Sequence, residues 1–251
     1  MSELFFFPSR QGVPAIIPPL LSFTAGFIDS FTVLALFGLF VAQVTGSFVL
    51  TAVAIVTNEH GALTKVLAVP VFLLAGVSTT VAAVMLERRG RAPLPWVLGL
   101  ECMALTGFLL MVLIGAPLSD PGAFSVAAAG LLGLFAMGTQ SATVRLLMKS
   151  VASTNVMTTN TTLIAIDAAE LWLAWRARRR APADAALAAA CEAARARFGA
   201  LLPIILGFLV GTVVGALAYM ATGVWALLLP LAVTYGVFVW ASGRAASTAI
   251  E

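Results

Sequence analysis

Four stretches of this chain run for about twenty residues each with almost no charge: 67–86, 96–115, 201–220 and 223–241. A hydrocarbon core about 30 Å thick takes a helix of roughly that length. Two further runs, 15–36 and 123–144, begin apolar and turn polar partway along. Charged residues make up 10% of the chain, against about a quarter in a soluble domain. Period-2 alternation is absent, and lipid admits only helices or closed barrels. The predicted fold class is therefore an all-α integral membrane protein. The start, MSELFFFPSRQGVP, lacks the basic n-region and small-residue cleavage site of a secretory signal.

Lysine and arginine set the expected orientation. Arg88, Arg89 and Arg91 crowd one loop, and Arg176, Arg178, Arg179, Arg180, Arg195 and Arg197 another, whereas 116–122 and 221–223 carry none. The positive-inside rule puts the first two loops in the cytoplasm and the second two outside. Arg244 agrees with a cytoplasmic C-terminus, and the N-terminus is expected on the same side. The formal net charge of +3 reads as topology, and no nucleic-acid partner is implied.

This orientation creates a parity problem. Residue 122 is outside and residue 176 inside, so 123–175 crosses an odd number of times, yet it holds two apolar pieces, 123–144 and 156–174. Between them lies GTQSATVRLLMKSVASTNVMTTNTT, and fifteen of the 24 residues from Thr139 to Thr162 are polar or charged. One full span plus a broken or re-entrant piece satisfies the parity. The same reasoning gives 14–58 one net crossing from two pieces, 15–36 and 41–57.

The two halves also align. Gly26 pairs with Gly138, Asp29 with Ser141, Leu34 with Leu146, and Thr45, Gly46 and Ser47 with Thr158, Thr159 and Asn160, the second copy being one residue longer. Pro70 then pairs with Pro203, and Trp96 with Trp225. The expected domain is single, with a first repeat at 14–115 and a second at 122–241, about six helices in all. Three crossings per half make it a 3+3 inverted repeat, which in many secondary transporters brings a site to the midplane. The basic connector 176–199 has no counterpart in the first half. It is expected either as a helix lying on the cytoplasmic lipid surface or as a mobile linker.

Gly26-Phe27-Ile28-Asp29, Thr45-Gly46-Ser47, the run Gly138-Thr139-Gln140-Ser141-Ala142-Thr143-Val144-Arg145 and Thr158-Thr159-Asn160 resemble the motifs of the YoaK-like family. These are bacterial inner-membrane proteins carrying the domain of unknown function 1275. The resemblance covers roughly 15–241 and implies about six helices in a bacterial membrane. It brings no known reaction or substrate. Ser47 and Thr159 depart from the Asn and Gly that the family favours.

Several polar residues fall where charge is expensive. A carboxylate at the depth of Asp29 costs about 2.5–3.5 kcal/mol on insertion scales unless water, a proton or a cation meets it, so Asp29 is either a coupling site or a structural cap. Arg145 and Lys149 are four apart and share a helix face. Arg145 is expected to point inward, toward Asp29, Asp167 or an anionic solute, and Lys149 to snorkel. Gln43, Thr45, Ser47, Gln140, Asn155, Thr158 and Asn160 can ligate a polar solute at broken helices, or re-satisfy freed backbone groups. Asp167 and Glu170 are expected to form salt bridges near the basic connector, and Glu101 to do likewise with the arginines at 88–91. Gly207, Gly211 and Gly215 mark a close-packing face for another helix or a second copy of the chain.

No HExxH, GxGxxG, P-loop or Ser/His/Asp set is present, so an enzyme is not expected. Cys102, Cys191 and His60 define neither a disulfide nor a metal site, and no cofactor is implied. The expected function is a small secondary transporter in the bacterial inner membrane. Its site lies between the repeats, lined by Asp29, Gln43, Thr45, Ser47, Gln140, Arg145, Asn155, Thr158 and Asn160, with a small anionic or zwitterionic solute favoured. The alternative is a non-transporting scaffold or partner subunit that oligomerises through the glycine face.

Overall fold

A computed structural model describes residues 13–149, 151–179 and 185–247. Every regular element in it is helical. The order is α1 (Ile17–Ala35), α2 (Val44–Val56), α3 (Ala62–Arg88), α4 (Pro93–Gly115), α5 (Phe124–Leu147), α6 (Met157–Arg178) and α7 (Ala185–Thr222), then a 3-10 turn (Gly223–Leu227) and α8 (Leu228–Ser247). Prolines open α1 and α4, where the missing N–H has no partner to lose. Five stretches are long and apolar enough to cross a membrane: α1, α3, α4, α5 and the contiguous Ala185–Ser247, which contains both α7 and α8. The chain is a multi-pass membrane protein by this measure.

The four long apolar runs became α3, α4, α7 and α8, and both polar interruptions are breaks. At the first, the Gly38 N–H reaches back to Val33 O (3.1 Å), and Phe37 and Gly38 both take left-handed backbone (φ 55 and 78). Glycine adopts that region freely, and phenylalanine does so uncommonly. Two consecutive left-handed residues reverse the chain, so that residues 41 and 42 return alongside residue 29. The second break, after α5, also turns the chain back, bringing Thr154 and Asn155 alongside Gln140 and Met137, with no left-handed residue among those described.

α1 lies against α7 and α8, and α5 against α3 and α4; α2 rests on α3, α6 on α7, and α4 on α8. Residues near the start of α1 (Ile17, Leu21) cluster with the end of α5 (Val144, Met148), with Leu98 of α4 and with Val237 and Ala241 of α8. Later residues of α1 join a larger cluster with Leu105, Phe108, Val126, Leu134 and Met137. α1 and α5 therefore run antiparallel. Between these two apolar clusters sits a buried polar layer: Ser22 and Thr24 from α1, Thr79 from α3, Glu101 from α4, Thr139, Gln140 and Thr143 from α5, and Thr234 from α8.

Two expectations need correction here. The glycine face is filled by the chain's own first helix. A Cβ at Gly207 would lie 2.5 Å from Pro19 O and one at Gly215 2.6 Å from Phe27 O, and at Gly211 it would meet Phe23 O closer still. The backbones touch, so Gly207, Gly211 and Gly215 are not available to a second copy of the chain. Among its described residues the connector 176–199 forms no separate surface helix. α6 runs to Arg178, and α7 continues unbroken from Ala185 for 38 residues, about 57 Å at 1.5 Å per residue. That exceeds a ~30 Å hydrocarbon core, so α7 projects beyond it. Arg197 on this projecting part pairs with Asp167 (2.8 Å) and Glu170 of α6, the salt bridging expected of those two acids. Residues 180–184 of the connector lie outside the described residues.

Candidate functional site

Each break is held by a side chain from the helix before it. Asp29 Oδ1 accepts the N–H groups of Val41 (2.9 Å) and Ala42 (2.7 Å), just ahead of α2. A carboxylate suits that place, because free N–H groups and the positive end of a helix dipole meet there. Ser47 then donates its hydroxyl to Phe40 O (2.9 Å), tying the first turn of α2 back to the break. Gln43 lies half-buried beside the same carboxylate.

The second break uses neutral groups. Gln140 Nε2 is 3.1 Å from Thr154 Oγ1, 3.0 Å from Asn155 Oδ1 and 3.0 Å from Leu21 O. Asn155 Nδ2 donates to Met137 O (3.3 Å), and Asn160 Nδ2 to Ser153 O (2.6 Å). The Ser22 hydroxyl lies 3.1 Å from Thr154 O and 2.8 Å from Ile204 O, so this knot joins α1, α5, the break and α7. Buried polar atoms in hydrocarbon need such partners, since water is not there to supply them.

The structure thus buries Asp29 and Ser47 at the first break, and Gln140, Asn155 and Asn160 at the second. Three expected site residues fall elsewhere. Arg145, Thr45 and Thr158 are exposed on the outer surface, so no inward arginine faces Asp29. Lys149 is exposed too, as expected. Glu101 overturns its expectation: it is fully buried, and neither carboxylate oxygen has a hydrogen-bonding partner. It makes no ion pair with Arg88, Arg89 or Arg91. Asp29 Oδ2, Gln140 Oε1 and the hydroxyls of Thr24, Thr79, Thr139 and Thr143 are likewise buried without a partner. Sequence reasoning named Asp29, Gln140 and Glu101 but missed the four threonines. Glu101 carried a signal, as the lone charge within 96–115, but threonines in apolar helices are too common to stand out.

Other polar contacts lie apart from the breaks. His60 and Asp120 pair at 2.8 Å on the surface at the end away from the arginine loop. A groove of about 780 Å³ opens between α4 and α8, lined by Arg91, Trp96, Cys102, Tyr235 and Phe238 among others. None of the sequence-predicted site residues lines it. Among the described residues no three His, Cys, Asp or Glu side chains gather into a metal-binding group.

A family profile described as a protein of unknown function matches residues 18–240, from the first helix to the last. The chain belongs to the DUF1275 family. The motifs around Asp29, Ser47, Gln140 and Asn160 had pointed to the same family, and in this DUF1275 chain they are the residues that lock the two breaks. No curated protein and no solved structure matches the chain.

Proposed function

We propose that this DUF1275 protein is a small secondary transporter built as a 3+3 inverted repeat, with its site in the buried polar layer between the halves. The observation that carries the reading is the equivalence of the two locks. Ser47 bonds the carbonyl seven residues before it, and Asn160 does the same; the sequence alignment pairs these two residues. Asp29 holds residues 41 and 42, while Gln140 holds 154 and 155; the held positions match once the extra residue is counted, and Gln140 stands one residue before Ser141, the partner of Asp29 in the alignment. Helix contacts repeat as well. Gly26 abuts Phe208, and Gly138 abuts Ala75; Phe208 follows Pro203 by five residues, as Ala75 follows Pro70.

On this reading α1, α3, α4, α5, α7 and α8 cross, and each break re-enters from its own side. The arginine-rich end faces the cytoplasm of a bacterial cell. With Arg145 on the outside, the ground for favouring an anion is gone, and the layer's carboxyl, hydroxyl and amide groups suit a neutral or cationic polar solute. The solute site shifts from Thr45, Arg145 and Thr158 to the layer itself, with Asp29 and Gln140 controlling the broken segments. Reconstitution into liposomes with a solute screen by flux is the test. Asp29→Asn and Gln140→Leu reduce any flux found, and Arg145→Ala leaves it intact. Flux that survives both lock variants counts against the site.

A scaffold reading is favoured by a different fact: the lock residues are buried and bonded to neighbouring segments, as in a seam between helices. Cysteines at 47 and 154, both buried, separate the two. A transporter that opens exposes at least one of them to membrane-impermeant thiol reagents, whereas a permanent seam leaves both unreacted.

A further inference from the structure

The unpartnered atoms of the polar layer are not scattered. Thr24, Glu101, Thr139, Gln140 and Thr143 lie between the two apolar clusters that bracket the layer. Thr79 falls at the same level of α3, which packs on α5 through the contact of Ala75 with Gly138. A buried threonine in a helix ordinarily returns its hydroxyl to a carbonyl one turn back. Thr234 in this layer does so to Pro230 O (3.0 Å), and Thr106 to Cys102 O (2.8 Å). Thr24, Thr79, Thr139 and Thr143 do not. Gln140 spends its amide hydrogens on the second break and leaves Oε1 free. The result is a carboxyl and five neutral oxygens, all buried and all without a partner.

The geometry points to a binding site for one monovalent cation at Glu101, taken up either as a proton on the carboxyl or as an alkali ion among these oxygens. Charge fixes the valence. A lone carboxylate in a low-dielectric interior needs one compensating positive charge, and no group among the described residues supplies it. On α5 the single charged residue, Arg145, is exposed. On α8, Tyr235 bonds Thr106 (3.1 Å) and Arg244 sits in the last turn. On α3, Lys65 pairs with Glu59 at the far end, while Glu87 and Arg88 end the helix. The 3-10 turn and the described part of α1 carry no cation. An all-oxygen shell is what alkali ions take in place of water. The inference deepens the transport reading by naming its coupling charge, yet it is tested without any flux, so either can fail alone.

The test uses the purified full-length protein in lipid nanodiscs, by infrared spectroscopy and thermal melting, in choline chloride against sodium chloride at equal ionic strength. In choline, the wild type shows a protonated-carboxyl band that Glu101→Gln removes and Asp29→Asn retains. If sodium abolishes that band and raises the melting temperature, both responses being lost in Glu101→Gln, the charge is an alkali ion. If the band ignores sodium, it is a proton. A band that persists in Glu101→Gln, or a wild type with neither band nor sodium response, overturns the site. Should Glu101→Gln fail to fold, Thr143→Val keeps the carboxyl and strips one oxygen. It must then shift the band or weaken the sodium response, and no change in either is refutation.

Discussion

The close backbone contact of α1 with α7 gives the most direct stability prediction. Pro19, Phe23 and Phe27 present three carbonyls of α1, four residues apart, to Gly207, Gly211 and Gly215 of α7. An ordinary carbon–oxygen contact is about 3.3–3.6 Å, whereas a methyl at Gly207 would sit at 2.5 Å. Adding that methyl pushes α1 back by roughly 0.8 Å. A gap of 0.5–1 Å forfeits about a quarter to a half of each dispersion contact beside it. Gly211 is in the middle, so its methyl opens the contacts on both sides. We expect Gly211→Ala to cost ~2–3 kcal/mol, the upper part of the overpacking range. Gly236→Ala is the control, since a Cβ there meets nothing within 4 Å and gains up to about 1 kcal/mol of helix propensity. Equilibrium unfolding in mixed micelles reads the difference, ~3 kcal/mol or about a hundredfold. Equal effects of the two substitutions would show that α1 and α7 do not pack as described. A change in oligomeric state without loss of stability would return the glycines to an intermolecular role.

Asp29→Ala leaves two buried N–H groups unpaired, at about 1–3 kcal/mol each. It should destabilise by ~2–6 kcal/mol in the same unfolding assay, and Asp29→Asn by less because one acceptor remains. Arg197→Ala strands Asp167, whose side chain is 6% exposed, and hydrogen exchange should quicken in α6 and the projecting part of α7 while α4 and α5 keep their protection. The Gly122 N–H and His60 hold the Asp120 carboxyl below the ordinary carboxylate range. A lowered folded-state value means that its contribution is present at neutral pH and lost as pH falls through that range; thermal melts of Asp120→Asn should lack this acid-side component.

The apolar runs were legible because a charge in lipid is costly enough to keep twenty-residue windows clear of it. The breaks were legible as interruptions between paired apolar pieces, and the gaps between α1 and α2 and between α5 and α6 fall at them. The facing of Arg145 was misjudged, although helix geometry held the answer. At 100° per residue Arg145 stands about 140° round from Gln140, whereas Thr139 and Thr143 fall within about 100° of it. A helix that buries Gln140, Thr139 and Thr143 therefore turns Arg145 outward. Glu101 was misjudged in a similar way. Eight residues into α4, it stands about 12 Å above the arginine loop, beyond the reach of an ion pair. The partner of the glycine face was illegible, because the facing carbonyls are about 190 residues away in sequence and backbone atoms leave no mark on it.

The two locks repeat a geometry without repeating its chemistry. At the first break the backbone presents N–H groups, so the side chain that holds them must accept, and Asp29 does. At the second, Thr154 and Asn155 present side-chain oxygens, so the holder must donate, and Gln140 does. An acid at the second position would offer no donor to the Asn155 oxygen, and a primary amide at the first would accept with a neutral oxygen, which holds N–H groups less strongly than an ionised one. The residue types are thus fixed by which backbone or side-chain groups each break leaves facing the preceding helix. The two breaks can therefore differ in behaviour. A proton on Asp29 weakens its hold on Val41 and Ala42, since a neutral carboxyl accepts less strongly than an ionised one. Gln140, Thr154 and Asn155 do not titrate, so changes in proton activity reach the first lock and pass the second by.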